Sequence, residues 1–549
     1  MKVFNYFFTI IFMFLSLFIL YKTLSNNKKI REKKLCSNKC YKILFCFILL
    51  IGIFIRVYKF GSVPDGFNQD GAMAVVDGIA LAEYGTDRYG MFMPVHLTAW
   101  GYGQMSSLLS YMVALFVKIF GFSIIVVRLP ILIISIISMI CLYLFSKDVF
   151  GKNVALIVLF MTSINPWHIM QSRWILDCNL FPHFIIMGVY FLNKGLSKKV
   201  YLWISMILFG LSMYCYGISI YTIPVFLLAT CIYLIKTKKI TIKDAFISFI
   251  IYILVAWPFI LTMVINFLKI DTIKTPFFTI PFFESSTRSK DILFFSDNIL
   301  SQLIINIIYF INVIIIHAYE APWNYIEGFG TLYYFTIPFI IIGCYVLFKK
   351  YKKSSGSKII FILLLTSFWC GIATNEVNIN RLNIIYYPII IISSIGVYFI
   401  MQYLKRFKWS ILLVYLCAFI MFGYTYFTSY SETIGDVFFK DFKNAILSLK
   451  TSDSKKFYIT PYVQSQSSYD VAEILTLFYL EIDSKYYRGL VMEDGLSFKE
   501  KYNIKNIDSI NIDYEEDAEY VVTYYDLQYF DKSKVDIKEF GRYYVVSLK

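Results

Sequence analysis

The chain is predicted to be a polytopic α-helical membrane protein with a C-terminal α/β domain outside the membrane. Three observations predict it. First, 58% of its 549 residues are hydrophobic and only 16% charged, with a mean hydropathy of +0.63, whereas soluble domains carry about 25% charged residues. Second, apolar runs recur near 3–21, 42–59, 123–146, 153–166, 178–194, 201–219, 220–235, 246–268, 331–348, 358–373, 383–402 and 409–427, with about 20 residues needed per crossing. That gives about 11–12 transmembrane helices. Third, Lys and Arg alternate between the connections.

The alternation sets the orientation, because short cytoplasmic loops retain positive charge. The rich loops are 22–43 (eight Lys and Arg, including KKIREKK), 194–199, 236–243, 349–358 and 405–408, with Lys147 and Lys152 a weaker pair. Loops 60–122, 167–177, 269–330 and 374–382, and everything after 427, then lie on the extracytoplasmic face of the cell membrane. The N-terminus lies there too unless 3–21 is re-entrant. This first segment has only Lys2 before it and no small-residue cleavage site after it, so it reads as a retained membrane segment. Stretches 104–120 and 299–316 are apolar, but counting either one as a crossing inverts the alternation downstream. Both are expected to lie along the outer surface or between spans.

Three domains follow: 1–41, an extra membrane segment and basic cytoplasmic loop; 42–427, the transmembrane body with its outer loops; and 428–549, a soluble α/β domain. The net charge of +15 is the sum of +21 over 1–427 and −6 over the tail, where 15 Lys and Arg face 21 Asp and Glu. Positive charge in cytoplasmic loops answers to topology and anionic lipid headgroups, so no nucleic-acid partner is implied. In the tail, helix-like 437–449 and 471–480 are interleaved with strand-like 457–460, 520–525 and 542–548. None of the ten cysteines lies in the tail. Cys36 and Cys40 lack the two further ligands that a structural metal site needs.

Chemistry is expected on the outer face. Asp70, in GSVPDGFNQDGA (61–72), falls in the first long polar loop, where the bland alternative is a solvated turn. Arg128, in VVRLP, sits where that face meets the next span. Arg173 and Asp177 share PWHIMQSRWILD in the second outer loop, and Arg381 lies in NEVNINRLNIIYYP. An arginine at a span end often snorkels. Arg381 opens an apolar run against the positive-inside bias, which points to a ligand or a partner. Planar guanidinium matches phosphate oxygens bidentately. His96, Trp100, His168, Trp174 and Trp323 are possible substrate contacts, with interfacial packing as the alternative for each.

The order of an outer acid in a first long loop, a surface helix ending in LFVKIFG, an Arg-Leu-Pro entering the next span, and an Arg plus Asp in the second outer loop resembles the polytopic GT-C glycosyltransferases. More narrowly, it resembles the dolichyl-phosphate-mannose-protein mannosyltransferase superfamily and its bacterial aminoarabinose-transferase-like relatives (glycosyltransferase family 39-like). The resemblance spans roughly 42–402. It implies a GT-C-like fold, Asp70 and Asp177 as catalytic acids, and Arg128 as the arginine opening the next span. It also implies a polyprenyl-phosphate sugar donor and transfer with inversion. Two departures stand out. Gly71 follows Asp70 where the family often has Glu, and TAWGYGQM (98–105) lacks the lysine that some lipid-modifying relatives carry there.

The expected activity is therefore transfer of a sugar from a lipid-linked donor to a glycan, lipid or protein acceptor. Asp70 is the expected base, and Arg128, Arg173 and Arg381 are expected on the donor phosphate. No cofactor is required by this scheme, although a divalent ion at Asp70 and Asp177 stays open. The alternatives are a transporter or flippase of lipid-linked glycans and an O-antigen polymerase or ligase. Transporters place ionisable groups near the midplane and carry internal repeats, and neither feature is found here.

Overall fold

The computed structural model describes all residues except 26–34, 102, 285–291, 317–320, 376, 464–465 and 508–516. The KKIREKK run and Glu376 lie outside the described residues.

The membrane body begins with α1 (Lys2–Ser25) and α2 (Asn38–Val57). Then α3 (Gln69–Tyr84), α4 (Leu108–Phe120), α5 (Ile124–Phe150), α6 (Lys152–Ser163) and α7 (Pro166–Gln171) follow. Next come α8 (Asp177–Gly195), α9 (Lys199–Ser212), α10 (Ser219–Lys236), α11 (Ile242–Leu268) and α12 (Ile299–Ile311). The body closes with α13 (Ile337–Lys350), α14 (Ser355–Ala373), α15 (Ile379–Leu382), α16 (Tyr386–Tyr403) and α17 (Ser410–Phe427). Each of the twelve apolar runs holds a helix. Among the described residues, eight helical segments are long and apolar enough to cross a membrane: α1, α2, α5, α10, α11, α14, the α15–α16 segment and α17.

The differences from the sequence expectation have local causes. α6 has only 12 residues, because Pro166 disfavours helix at Asn165 and restarts the chain as α7 inside what reads as a loop. α13 starts six residues later than its apolar run, after a 3-10 turn at Tyr334–Thr336, with Pro338 in its first turn. The stretch around Asp70 is no solvated turn, since Asn68 accepts the Gly71 N–H at 3.0 Å and caps α3. α1 is one continuous 24-residue helix, roughly 36 Å long at 1.5 Å per residue, which is long enough to cross a membrane.

The loops sort onto two faces. On one, Leu35 accepts from Lys408 Nζ at 2.8 Å and donates to Asn153, while Lys194 pairs with Asp148 at 2.9 Å. On the other, Val95 N–H donates to the Thr279 carbonyl at 2.9 Å, Thr374 bridges Ile292, and Lys2 pairs with Glu327. The basic connections thus share one face, and the first, second and later long loops share the opposite one.

After α17 come α18 (Ser429–Val437), α19 (Lys440–Ser448) and α20 (Tyr469–Tyr479). They accompany a five-stranded sheet of β1 (Lys456–Ile459), β2 (Tyr502–Ile504), β3 (Ala518–Thr523), β4 (Val535–Phe540) and β5 (Tyr543–Leu548) in the order β4-β5-β3-β1-β2. β1 runs parallel to β2 and β3, and β5 is antiparallel to β3 and β4. β2, three residues long, and β4, with Asp536, Lys538 and Glu539 among its six, are strands beyond those expected from the sequence. The orientation predicts that Ser533→Cys, at an exposed tail position in a variant without the ten native cysteines, reacts with an impermeant thiol reagent on intact cells. Labelling only after lysis places the tail inside.

Candidate functional site

The site is built at the ends of helices. α2 ends in an apolar setting with its last carbonyls unpaired by the helix, as every helix end must. The buried Arg173 caps them. Its Nη1 donates to Ile55 and Arg56 at 2.9 and 2.8 Å, its Nη2 to Tyr58, Lys59 and Val63 at 2.8, 3.1 and 3.0 Å, and its Nε to Val63. The Tyr426 and Phe427 rings of α17 cover it. A cation also suits the negative end of the α2 dipole.

Arg128, buried in the second turn of α5, holds the next stretch. Its Nη1 donates to Gly61 and Pro64 at 3.1 and 2.9 Å and its Nη2 to Gly66 at 2.8 Å, while its guanidinium lies 4.6 Å from the Phe67 ring centroid. The chain then enters α3 through Phe67 and Asn68, and Asp70 stands in the first turn, where the helix dipole favours negative charge. Trp100 Nε1–H donates to Asp70 Oδ1 at 2.5 Å.

Asp177 stands at the equivalent place on α8. It is buried in the first turn and accepts the Cys178 N–H at 2.6 Å. The two acids belong to one neighbourhood. Gly71 lies against Ile175, so that a Cβ at 71 falls 2.7 Å from the Ile175 carbonyl oxygen. Both carboxylates are also within electrostatic range of Cys178. Asn383, at the start of the α16 segment, accepts from Trp167 Nε1 at 2.9 Å and donates to the Cys178 carbonyl at 3.1 Å. That fastens the end of α8 carrying Asp177 to the segment carrying Arg381. Arg381 is half-buried and its Nη1 donates to the Asn375 carbonyl.

The remaining expected contacts divide. Trp100 touches the acid. Trp174 and Trp323 instead pack against Phe438 of the tail, at 5.3 and 6.4 Å between ring centroids. His168 is fully buried and structural. Arg56 Nη2 donates to its Nδ1 at 2.8 Å, and because guanidinium only donates, the proton sits on Nε2, which donates to Tyr387 Oη at 3.1 Å. His96 is buried edge-on to Phe259 and Phe283, and burial holds its pKa down to about 4. Arg128 and Arg173 give their guanidinium N–H groups to backbone carbonyls, so the geometry assigns them the folding of the acid-bearing loop in place of the expected grip on a donor.

Sequence reading missed Arg56, Asn383 and the fully buried Asp77–Arg88 pair at 2.5 Å. Arg56 gave the same signal as Arg381, an arginine at the outer end of an apolar run. It caps α6, donating to Thr162 and Ser163. Among the described residues, no group of three or more His, Cys, Asp or Glu side chains converges as a metal cage.

The helix bundle thus carries Asp70 and Asp177 at helix starts on its loop face, with an α/β unit after α17. The sequence model of the family described as dolichyl-phosphate-mannose-protein mannosyltransferase matches residues 106–265. That match covers under a third of the chain, and the architecture is GT-C-like. The fold is shared with ArnT from Cupriavidus metallidurans, at 10% identity and a TM-score of 0.52 for the form bound to undecaprenyl phosphate, over 93% of this chain and 98% of that one. The apo form of ArnT gives 11% identity and a TM-score of 0.50 over the same shares. The Archaeoglobus fulgidus oligosaccharyltransferase AglB gives 11% identity and a TM-score of 0.47, over 81% of this chain and 64% of that one. The chain thus spans a little under two thirds of the length of that archaeal enzyme. No curated protein sequence matches it.

The state of His96 gives a pH signature. Between its ordinary pKa of 6.5 and about 4, the unfolded chain takes up a proton that the folded chain refuses, so stability falls as pH falls through that window. At 1.36 kcal/mol per unit the loss reaches about 3 kcal/mol. The melting temperature of the wild type is expected to drop from pH 6.5 to 4 more steeply than that of His96→Gln. Parallel curves for the two proteins contradict it.

Proposed function

We propose that this chain is a glycosyltransferase that moves a sugar from a polyprenyl-phosphate donor to an acceptor hydroxyl or phosphate at the extracytoplasmic membrane surface, with inversion. The observation that carries the proposal is the pair of carboxylates, Asp70 and Asp177, at two helix starts brought together on one loop face of a GT-C fold. The undecaprenyl phosphate bound by ArnT, a protein of the same fold, supports a donor of that class.

In the proposed reaction the acceptor oxygen attacks the anomeric carbon and its proton passes to Asp70. The bond from that carbon to the phosphate oxygen breaks on the opposite face, and polyprenyl phosphate leaves with the electron pair. Base catalysis of this kind contributes about 10² to 10⁴ in rate. Asp177 and Trp100 shape the pocket around the reacting groups. Arg381, on the segment that Asn383 ties to the start of α8, is assigned to the leaving phosphate. The acceptor is a glycan, lipid or protein of the cell envelope.

The test uses purified full-length protein in lipid nanodiscs and follows release of undecaprenyl phosphate from undecaprenyl-phosphate-linked sugars, with membrane extract as the acceptor source. Asp70→Asn is expected to lower turnover about 100-fold or more while undecaprenyl phosphate still binds. Wild-type turnover in that variant removes Asp70 from the chemistry. Arg381→Lys keeps the charge and loses the two-pronged geometry, so it is expected to weaken undecaprenyl phosphate binding, and Arg381→Ala to weaken it further. Equal affinities across the three proteins take Arg381 out of the site.

A further inference from the structure

The tail touches the Asp70 loop on both sides, through one helix. α20 is amphipathic and lies along α3, burying Val471, Ile474, Leu475, Phe478 and Tyr479. At its C-terminal end the Phe478 ring sits 4.5 Å from the Phe67 ring, and Tyr479 Oη accepts the Phe67 N–H at 3.0 Å. At its N-terminal end the Asp470 carboxylate abuts Gly101, the residue after the Trp100 that donates to Asp70. Supporting contacts surround these. Lys443 pairs with Asp65 at 2.6 Å, and the Phe438 carbonyl occupies the space a Cβ at Gly66 needs, a position with φ of +81°.

Phe67 is the residue before the N-cap of α3. An apolar residue there usually packs on the first turns of its own helix and fixes the angle at which the chain enters. Here the partner comes from the tail, over 400 residues away. Phe67 is held between Phe478 and the Arg128 guanidinium, with its N–H given to Tyr479. Asp70 follows three residues later, so the direction of its side chain depends on that clamp.

We propose that α20 of the tail positions Asp70, with Tyr479 the positioning residue that acts through Phe67. The inference rests on the reading of Asp70 as the base. It gives the soluble domain a part in the chemistry without contact with the substrate, and it makes the tail inseparable from the membrane body as a catalyst.

A double-mutant cycle tests it. Wild type, Asp70→Asn, Tyr479→Phe and the double variant are compared as full-length proteins in the undecaprenyl phosphate release assay, alongside undecaprenyl phosphate affinity and melting temperature. Tyr479→Phe removes only the hydroxyl. It is expected to lower turnover about five- to tenfold, the scale of one hydrogen bond, to leave affinity unchanged, and to cause no further loss in the Asp70→Asn background. Phe478→Leu, which trims the stacking face and spares the hydrogen bond, is expected to behave alike. A silent Tyr479→Phe, or losses that simply multiply with those of Asp70→Asn, overturns the positioning role while Asp70 stands. Wild-type turnover in Asp70→Asn overturns the catalytic reading itself, and the positioning role with it.

Discussion

A buried guanidinium without a carboxylate must be surrounded by carbonyl oxygens, and the loop face of this protein is arranged around that constraint. Stripping a charge from water costs several kcal/mol even after relaxation, and hydrogen bonds to a charged group return about 1.5–3 kcal/mol each. Arg173 makes six such bonds, Arg128 three and Arg56 three to carbonyls plus one to His168. Regular secondary structure has few carbonyls to spare, except at helix C-termini and in irregular turns. The arginines therefore fix where α2 and α6 end and how the chain between α2 and α3 is coiled. Removing any one leaves unsatisfied carbonyls on one side and a vacated pocket on the other.

The consequence reaches the acids. Residues 58–67 contain no helix or strand, and their shape is set by Arg173 from the second loop, Arg128 from α5 and α20 from the tail. Three separate parts of the chain thus converge on the segment that delivers Asp70. Preorganised groups act on a developing charge without reorganising during the reaction, and a site on a loop gains this only when its supports are themselves packed. The distance in sequence between residue 67 and residue 479 is the cost of that arrangement. The segment that delivers Asp70 takes part of its shape from the last domain of the chain.

Much of this was legible in the sequence, and the limits have physical origins. Apolar runs located a helix at each of twelve positions, and among the described residues eight helical segments are long and apolar enough to cross, because length is what a bilayer selects for. Strands β1, β3 and β5 showed as β-branched and aromatic runs, while β2, only three residues long, and β4, with three charged residues in six, did not. α3 was concealed by its own beginning, since Pro64, Asp65, Gly66 and Asn68 are turn formers, and only the capping bond from Gly71 to Asn68 distinguishes a helix start from a turn. Asp70 and Asp177, read in the sequence as candidate acids, and Trp100, a possible contact, fall in one neighbourhood. Arg128 and Arg173 were recognised by type, but an arginine that holds carbonyls and one that holds phosphate look alike in one dimension. What separates them is the neighbouring backbone, which no local motif encodes. The surroundings of His96 and His168 are likewise assembled from residues far apart in the sequence.

The Asp70-Gly71 pair shows how packing limits the chemistry a site can carry. Related families often place Glu after the first-loop acid, and a second carboxylate there invites a shared metal ion or a contact with the acceptor. In this chain a Cβ at position 71 meets the Ile175 carbonyl oxygen at 2.7 Å and the Ile175 side chain at 2.9 Å, closer than packed atoms approach. A Glu at 71 would push the second loop away from the first. The same contact that excludes that carboxylate brings Asp177, two residues beyond Ile175, up to Asp70. The close approach of two loops thus supplies from α8 the second acid that the first loop lacks, and it does so from a helix start, where the charge is fixed in direction. An acid on α8 is tied through Asn383 to the segment bearing Arg381, whereas a Glu at 71 would move with α3. In the proposed reaction this links the base-bearing loop to the phosphate-binding side through the Gly71–Ile175 contact and the Asn383–Cys178 hydrogen bond.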